Sequence, residues 1–376
     1  MTPSKAVTSL LFVLAGCAGT PPPPQTPAVG PAIATSPVPA RSATFAAQNE
    51  VKIQVPEGAK LVRLWMAMPQ EDTAQDVREF QVTAPAPHRV EGDKDGNKFV
   101  YVEFKEPKDK ELLVRETFVV TRREVKSGVD ASKSRPITDA ERAQYAAHLG
   151  PNENVVIDDE IRKLSASIVG TEKNPVLASR KLYDWVLNNV EYWVKDPKNK
   201  KASPIGSTTY CLTNKTGNCT DFHSLWTSLA RAQGIPTRMI YGSFFKAELD
   251  GQSEDQSYHC WPEFYAPGFG WVPHDVAIAD IFAGDFQTTP DNEKPVRLTT
   301  GDGYRGGDRA KVDYYFGNID ERRVTWSRGR DLTLSPKQEG GPVNALPKAY
   351  VEIDGKVAAE KVAWTRKLTF KEQKSK

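Results

Sequence analysis

A chain of 376 residues exceeds one ordinary module and suggests two globular domains with appendages. Its 39% hydrophobic content, with eight Trp and fifteen Phe, is enough for a sizeable core and excludes wholesale disorder. Fifty Lys and Arg against 48 Asp and Glu leave a formal charge of +2, which excludes a strongly basic field for nucleic acid, and four cysteines are too few for a disulfide scaffold.

The N-terminus reads as an address. Lys5 precedes a short apolar run, Val7 to Leu14, which then gives way to Leu14-Ala15-Gly16-Cys17. The run falls short of the roughly 20 apolar residues that span a bilayer. Leu-Ala-Gly-Cys resembles the lipobox of bacterial lipoproteins. The resemblance implies a signal peptide over 1–16, cleavage before Cys17 and lipid attachment to its sulfur, in a cell envelope. Residues 17–44 form a tether: Ala18 to Ala43 hold eight prolines, Pro21 to Pro24 in a row, and no aromatic residue. Extended chain of this kind rises about 3.1 Å per residue and acts as a spacer. No later segment is apolar enough to cross a membrane, so the expected anchor is covalent and not electrostatic.

Residues 45–130 read as a β-rich domain. Val51 to Val55 and Phe99 to Phe104 alternate with period two, Leu61 to Met68 and Leu112 to Val120 add β-rich runs, and Asp93 to Asn97 is a turn cluster. An antiparallel β-sandwich-like layer is expected, with no convergent polar constellation. His88, alone beside two prolines, points to packing or partner binding. Helical signals begin near 138, where Thr138-Asp-Ala-Glu141 forms a capping box. Ile161, Leu164 and Ile168 keep helical spacing. Asn174-Pro175 opens a second helix with Ala178, Leu182, Trp185 and Val186 on one stripe. These stripes read as core.

The chemistry lies in Thr216-Gly-Asn-Cys219-Thr-Asp-Phe-His-Ser-Leu-Trp, which runs on to Gly234. Phe222, Leu225, Trp226 and Leu229 make an apolar helical face, so the helix starts at or just before Cys219. A thiol there meets unpaired N–H groups and the positive end of the helix dipole, which favour the thiolate. The same N–H groups suit an oxyanion. Gly217 permits close substrate approach. Thr237 to Phe245, Tyr258 to Tyr265 and Trp271 to Asp275 read as three strands of a meander. That arrangement lets His259 face the helix start and Asp275 orient His259, a nucleophile–base–orienter set.

Gly217-Asn-Cys219-Thr-Asp-Phe-His, Tyr258-His259-Cys-Trp-Pro-Glu-Phe and Gly270-Trp-Val-Pro-His-Asp275 resemble the three blocks of the transglutaminase-like superfamily, most closely its bacterial branch. The resemblance covers about 155–285. Gly317-Asn-Ile-Asp, Ser327-Arg-Gly-Arg-Asp-Leu and Tyr350 to Gly355 are similar to that branch's tail. It implies an α+β, papain-like core with the Cys-bearing helix packed on an antiparallel sheet, over 131–335. The β-sandwich-like domain precedes that core and a C-terminal β extension, 336–376, follows it. It also implies Cys219, His259 and Asp275 as the catalytic residues. The calcium requirement of animal transglutaminases does not carry over, because no acidic loop matches a calcium site.

His223 is the rival base, four residues along from Cys219, and His274 is expected to face away from His259 if Asp275 faces it. Asp255 and Asp280 fall on expected loops. Cys211, Cys219, His223 and His259 match no common zinc spacing, so no metal and no cofactor are expected. Cys260 reads as a small buried residue pointing away from His259, and Cys211 as part of the preceding loop; a Cys211–Cys260 pair stays open. Arg328, Arg330 and Asp331 read as a solvated or salt-bridged loop. Tyr192, Trp193 and Tyr210 are candidates for a second oxyanion donor beside the Cys219 N–H.

The expected protein is a lipid-anchored envelope enzyme performing acyl transfer or amide hydrolysis through a Cys219 thioester, with a protein or peptide substrate, peptidoglycan peptides among the options. It has no nucleic-acid partner, and the sequence leaves its oligomeric state open. The alternative is a non-catalytic binding or scaffold module in envelope assembly.

Overall fold

The computed structural model describes Met1 and residues 40–252, 256–301 and 304–374. Cys17, the expected signal peptide apart from Met1, and the tether up to residue 39 lie outside the described residues, as does Asp255.

Period-two alternation builds the first layers. In β1 (Ser42–Gln54), Phe45, Ala47, Val51 and Ile53 point inward and are buried. β2 (Leu61–Ala67), β3 (Gln75–Thr83), β4 (His88–Gly92), β5 (Lys98–Lys105) and β6 (Glu111–Arg123) follow. The expected turn between β4 and β5 closes through Asp93, whose carboxylate accepts the N–H groups of Asp95 and Asn97, with Gly96 at φ +78°. His88 is exposed on its strand. A two-residue strand, β7 (Val125–Lys126), leads out.

The helical part then begins as its caps dictate. Thr138 and Glu141 exchange both capping-box bonds at the start of α1 (Asp139–Gln144). Asp158 caps α2 (Asp159–Val169), and Asn174 with Pro175 opens α3 (Pro175–Asn189). β8 (Glu191–Tyr192) pairs in parallel with β9 (Thr216–Gly217), with α4 (Thr208–Asn214) between them in sequence. The central helix, α5 (Cys219–Ala232), is buried on every side, and Phe222, Leu225, Trp226 and Leu229 share one apolar cluster with Ile161, Leu182 and Val186. β10 (Thr237–Phe244), β11 (Tyr258–Ala266) and β12 (Gly270–Pro273) form the antiparallel meander. After α6 (Val276–Phe282), α7 (Glu293–Thr300) and α8 (Arg309–Tyr314), β13 (Asn318–Ile319) pairs with β7. β14 (Arg323–Arg328) closes the sheet on the far edge of β10, in the order β12-β11-β10-β14.

The last strands return to the beginning of the fold. β15 (Ala349–Ile353) pairs with β2 and with β16 (Lys356–Val357), while β17 (Trp364–Gln373) pairs with β1. The two sandwich sheets therefore run β17-β1-β6-β3 and β16-β15-β2-β5-β4. What the sequence presents as a C-terminal extension supplies strands to both sheets of the N-terminal sandwich. Alternation marks a strand but not its partner, and each of these segments covers an edge that would otherwise expose unpaired backbone groups. Phe45, Trp65, Phe118 and Leu368 of the sandwich share a core with Phe245, Val324, Trp326 and Leu332, so residues 40–376 form one compact unit of α+β architecture.

Candidate active site

Cys219 is the first residue of α5, directly after the N-cap Asn218. The Asn218 side-chain Oδ1 accepts the N–H groups of Thr220 and Asp221, and the Asp221 carboxylate reaches back to Asn218 N–H and to the N–H groups of Ser203 and Ser207. This clamp fixes the helix start and the incoming loop together. Gly217 serves the clamp: a Cβ there would lie 2.3 Å from Asp221 Cβ. Packing against Asp221 accounts for this glycine, in place of the expected substrate approach.

At the first helical position the Cys219 N–H has no partner inside the helix. It donates to Tyr192 Oη at 3.1 Å. The amide expected to face an oxyanion is thus engaged by a phenol, and that phenol lines the cleft. Tyr192 is held in turn by Asp280, whose Oδ2 accepts Tyr192 N–H at 2.9 Å and the Lys195 ammonium at 3.0 Å. Asp280 belongs to α6, not to the expected loop. Trp193 also lines the cleft, while the Tyr210 hydroxyl donates to Lys201 O on an exposed loop.

His259 on β11 places Nε2 2.7 Å from Asp275 Oδ2. Asp275 is not on a strand, as expected, but is the N-cap of α6, with Oδ1 accepting Ile278 N–H at 3.0 Å. A cap fixes a carboxylate more tightly than a strand side chain would, because one oxygen is committed to the backbone. The other oxygen also receives Arg323 Nη1 at 2.6 Å, from β14, and Arg323 Nε is 2.9 Å from Asp320. Arg323 is fully buried, and its guanidinium lies 4.0 Å from the centre of the Phe244 ring. With Nε2 committed to Asp275, Nδ1 is the ring nitrogen left for the Cys219 thiol.

The charges follow from this geometry. A hydrogen bond from Cys260, followed by the His259 charge and hydrogen bond, holds the Cys219 thiol well below its usual value despite burial. Burial pulls His259 down, but the Asp275 and Cys219 charges outweigh it and raise it above the ordinary imidazole value. Burial would raise Asp275, yet His259 and Arg323 keep it well below the usual carboxylate range. The resting site is a thiolate–imidazolium pair backed by a carboxylate. Burial and the Cys219 charge push the Tyr192 hydroxyl well above 10, so it keeps its proton.

The remaining candidates separate cleanly. His223 sits behind the triad: Nε2 is 3.4 Å from Asp275 Oδ1, within ion-pair distance but not aligned as a hydrogen bond, and Nδ1 is 3.5 Å from Cys260 Sγ. His274 packs 4.0 Å from the Trp226 ring, and burial drives it well below 6.5 into the neutral form. Cys211 is in α4 and not a loop; it and Cys260 are separate, buried free thiols. Cys260 is more than filler, since its Sγ lies 3.5 Å from Thr220 Oγ1 and it helps hold the Cys219 thiol down. Arg330 is buried and structural, bonding Ser224 Oγ at 2.7 Å and Gly206 O at 2.9 Å; Arg328 pairs with Asp72 and Asp331 with Asn152. Sequence reasoning missed Arg323 and Lys246; a buried arginine on a late strand carries no local signal. Among the described residues, no group of three or more His, Cys, Asp or Glu could hold a metal ion, and no helix is long and apolar enough to cross a membrane.

Cys219 and His259 open onto a cleft of about 490 Å³, bordered also by Tyr192, Asn218, Tyr258 and, from α7, Leu298. A capped helix carrying the thiol, packed on an antiparallel sheet carrying the imidazole, defines a class of thiol-bearing α+β folds. Residues 162–276 match the model of the transglutaminase-like superfamily. An uncharacterized protein of Haemophilus influenzae is 26% identical over 330 residues, covering 80% of this chain and 83% of its own. The crystal structure of a "Putative Cysteine Protease" from Cytophaga hutchinsonii is 16% identical, with a TM-score of 0.56 over 89% of this chain and 92% of that one.

Proposed function

We propose that the protein is a thiol acyl-transfer enzyme that cleaves or exchanges amide bonds of protein or peptide substrates through a Cys219 thioester. The observation that carries this reading is the continuous line from buried Asp275 through His259 to Cys219, which opens onto the cleft. The thiolate attacks the scissile carbonyl carbon, forming a C–S bond and moving the carbonyl electron pair onto oxygen. Tyr192, its oxygen already occupied by the Cys219 N–H, offers its O–H to that oxyanion. The imidazolium gives its proton to the leaving amine as the C–N bond breaks. The thioester then passes to water, which makes the enzyme a peptidase or amidase, or to an amine, which makes it a cross-linking acyltransferase. His259 takes the incoming proton in either case. Peptidoglycan peptides and envelope proteins both offer such amides. Cys17 tethers the enzyme by its lipid to the envelope, an assignment supported by the Leu-Ala-Gly-Cys motif and the proline-rich stretch behind it.

The test of catalysis is Cys219→Ala in a soluble form of residues 40–376, assayed against envelope peptides for amide cleavage and amine incorporation. Activity is expected to fall about a thousandfold or more; activity at the wild-type rate would overturn the mechanism. For the anchor, a fatty-acid analogue fed to cells should label the wild type and miss Cys17→Ser. Equal labelling of both sinks that assignment.

A further inference from the structure

Lys246 follows the end of β10 and lines the same cleft as Cys219 and His259. It is 5% exposed, and its ammonium makes no hydrogen bond or ion pair with any described residue. Its nearest organised partner is the Phe244 ring, whose centre lies 5.3 Å from Nζ. Arg323 works against its charge, while the Cys219 charge and then Glu248 and Asp320 favour it. Elsewhere in the molecule the rule is the opposite: the buried Lys195 ammonium is 3.0 Å from Asp280. Burying most of a lysine beside an open cleft is costly unless an anion meets the ammonium there. Burial accordingly pulls Lys246 down to about 8.

The cleft gives that cation a use. A second lysine, Lys294 on α7, stands exposed at the same cleft, and no Asp or Glu is among the described residues that line it. We propose that Lys246 is a substrate-recognition residue that binds a carboxylate carried by the acyl donor close to its scissile amide, with Lys294 adding charge at the rim. This assignment rests on the thiol acyl-transfer reading and names the substrate class: an anionic peptide. The carboxylate could belong to an acidic side chain or to a free C-terminus, and one chemistry serves both.

The test needs no knowledge of the natural substrate. Iodoacetate and iodoacetamide both alkylate a thiolate and differ by one carboxylate, so the ratio of their rate constants at Cys219 reports carboxylate recognition independently of thiolate content. The Cys219 peptide of the full chain is followed by mass. Lys246→Met is expected to lower the iodoacetate-to-iodoacetamide ratio by about tenfold, the size of a charge-assisted hydrogen bond, and Lys246→Arg to restore most of it. N-acetyl-Glu-amide, N-acetyl-Ala-Ala and the neutral N-acetyl-Gln-amide are then compared as protectants at constant ionic strength. Protection by the first assigns a side-chain carboxylate and by the second a terminal one, each lost in Lys246→Met. A ratio unchanged in Lys246→Met, with only the pH of iodoacetamide alkylation shifted, means the lysine serves the thiolate and overturns the proposal. Equal protection by all three peptides overturns it too. Failure of iodoacetamide itself to modify Cys219 faster than Cys211 instead overturns the acyl-transfer reading.

Discussion

Asp275 beside the cleft and Glu116 inside the sandwich are both fully buried carboxyl groups, but the two regions treat them differently. Asp275 meets His259, Arg323 and the Ile278 N–H, and stays ionised. Glu116 receives one neutral hydrogen bond, from Asn49 at 2.8 Å, its other oxygen finds no partner, and burial pushes it from 4.5 up to about 8. Glu116 is buried as an acid, and Asp275 is buried as an anion. The difference is the supply of cations: Arg366 bonds Asn49 and acts on Glu116 through its charge, whereas Arg323 bonds Asp275 directly. The sandwich does bury an ion pair, Arg63 with Glu352, so a direct cation partner, not the region, decides which carboxyl stays charged.

The largest break in this comparison comes from Arg323→Met. It strips a charge partner from a buried carboxylate and should cost about 3–5 kcal/mol of stability at neutral pH, measured by denaturant unfolding. The sign with pH is fixed. A depressed carboxyl stabilises the fold above its unfolded value and loses that contribution as pH falls through the folded one. The gap between wild type and Arg323→Met should therefore be widest near neutrality and close in acid. Arg323 also lowers His259, so the alkaline limb of Cys219 alkylation should move to higher pH in the variant. A gap independent of pH, with no movement of that limb, would remove Arg323 from the charge system. A smaller effect of opposite sign is expected from Glu116→Gln. A raised carboxyl penalises the wild-type fold increasingly as pH climbs from about 4.5 to about 8. The Gln variant should gain about 1–3 kcal/mol at pH 7, discounted for relaxation around the site, and nothing near pH 4. Equal stability at both pH values would mean that Glu116 is not buried as an acid.

Much of the catalytic half was legible in its residues. The caps at Thr138 and Asn174 are local, three- or four-residue signals, each opens a helix as expected, and the apolar face from Phe222 places the start of α5 at Cys219. The pairing of His259 with Asp275 followed from the family blocks. Three things were hidden. Asp275 caps a helix because an apolar stretch after it, Val276 to Phe282, folds as α6, and its spacing was read as loop. Cys260 obeys strand alternation, but alternation says which side a residue faces and not what covers that side; here α5 does, bringing Thr220 and His223 within 3.5 Å. Arg323 lies 48 residues from Asp275, and only the crossing of β14 to the far edge of β10 joins them. Non-local pairing of this kind leaves no trace in periodicity, and it also hid the return of β15 and β17 to the sandwich.

That return has a mechanical consequence. β1 is the first strand of the compact unit, and it is clasped on both sides, by β6 from Ser42 to Gln54 and by β17 from Thr44 to Ile53. A pull entering at residue 40, resisted by bulky material gripped at the cleft, is shared along two antiparallel ladders at once instead of peeling an edge strand bond by bond. Force applied at residue 40 would therefore load both ladders in shear, the direction in which paired strands resist most.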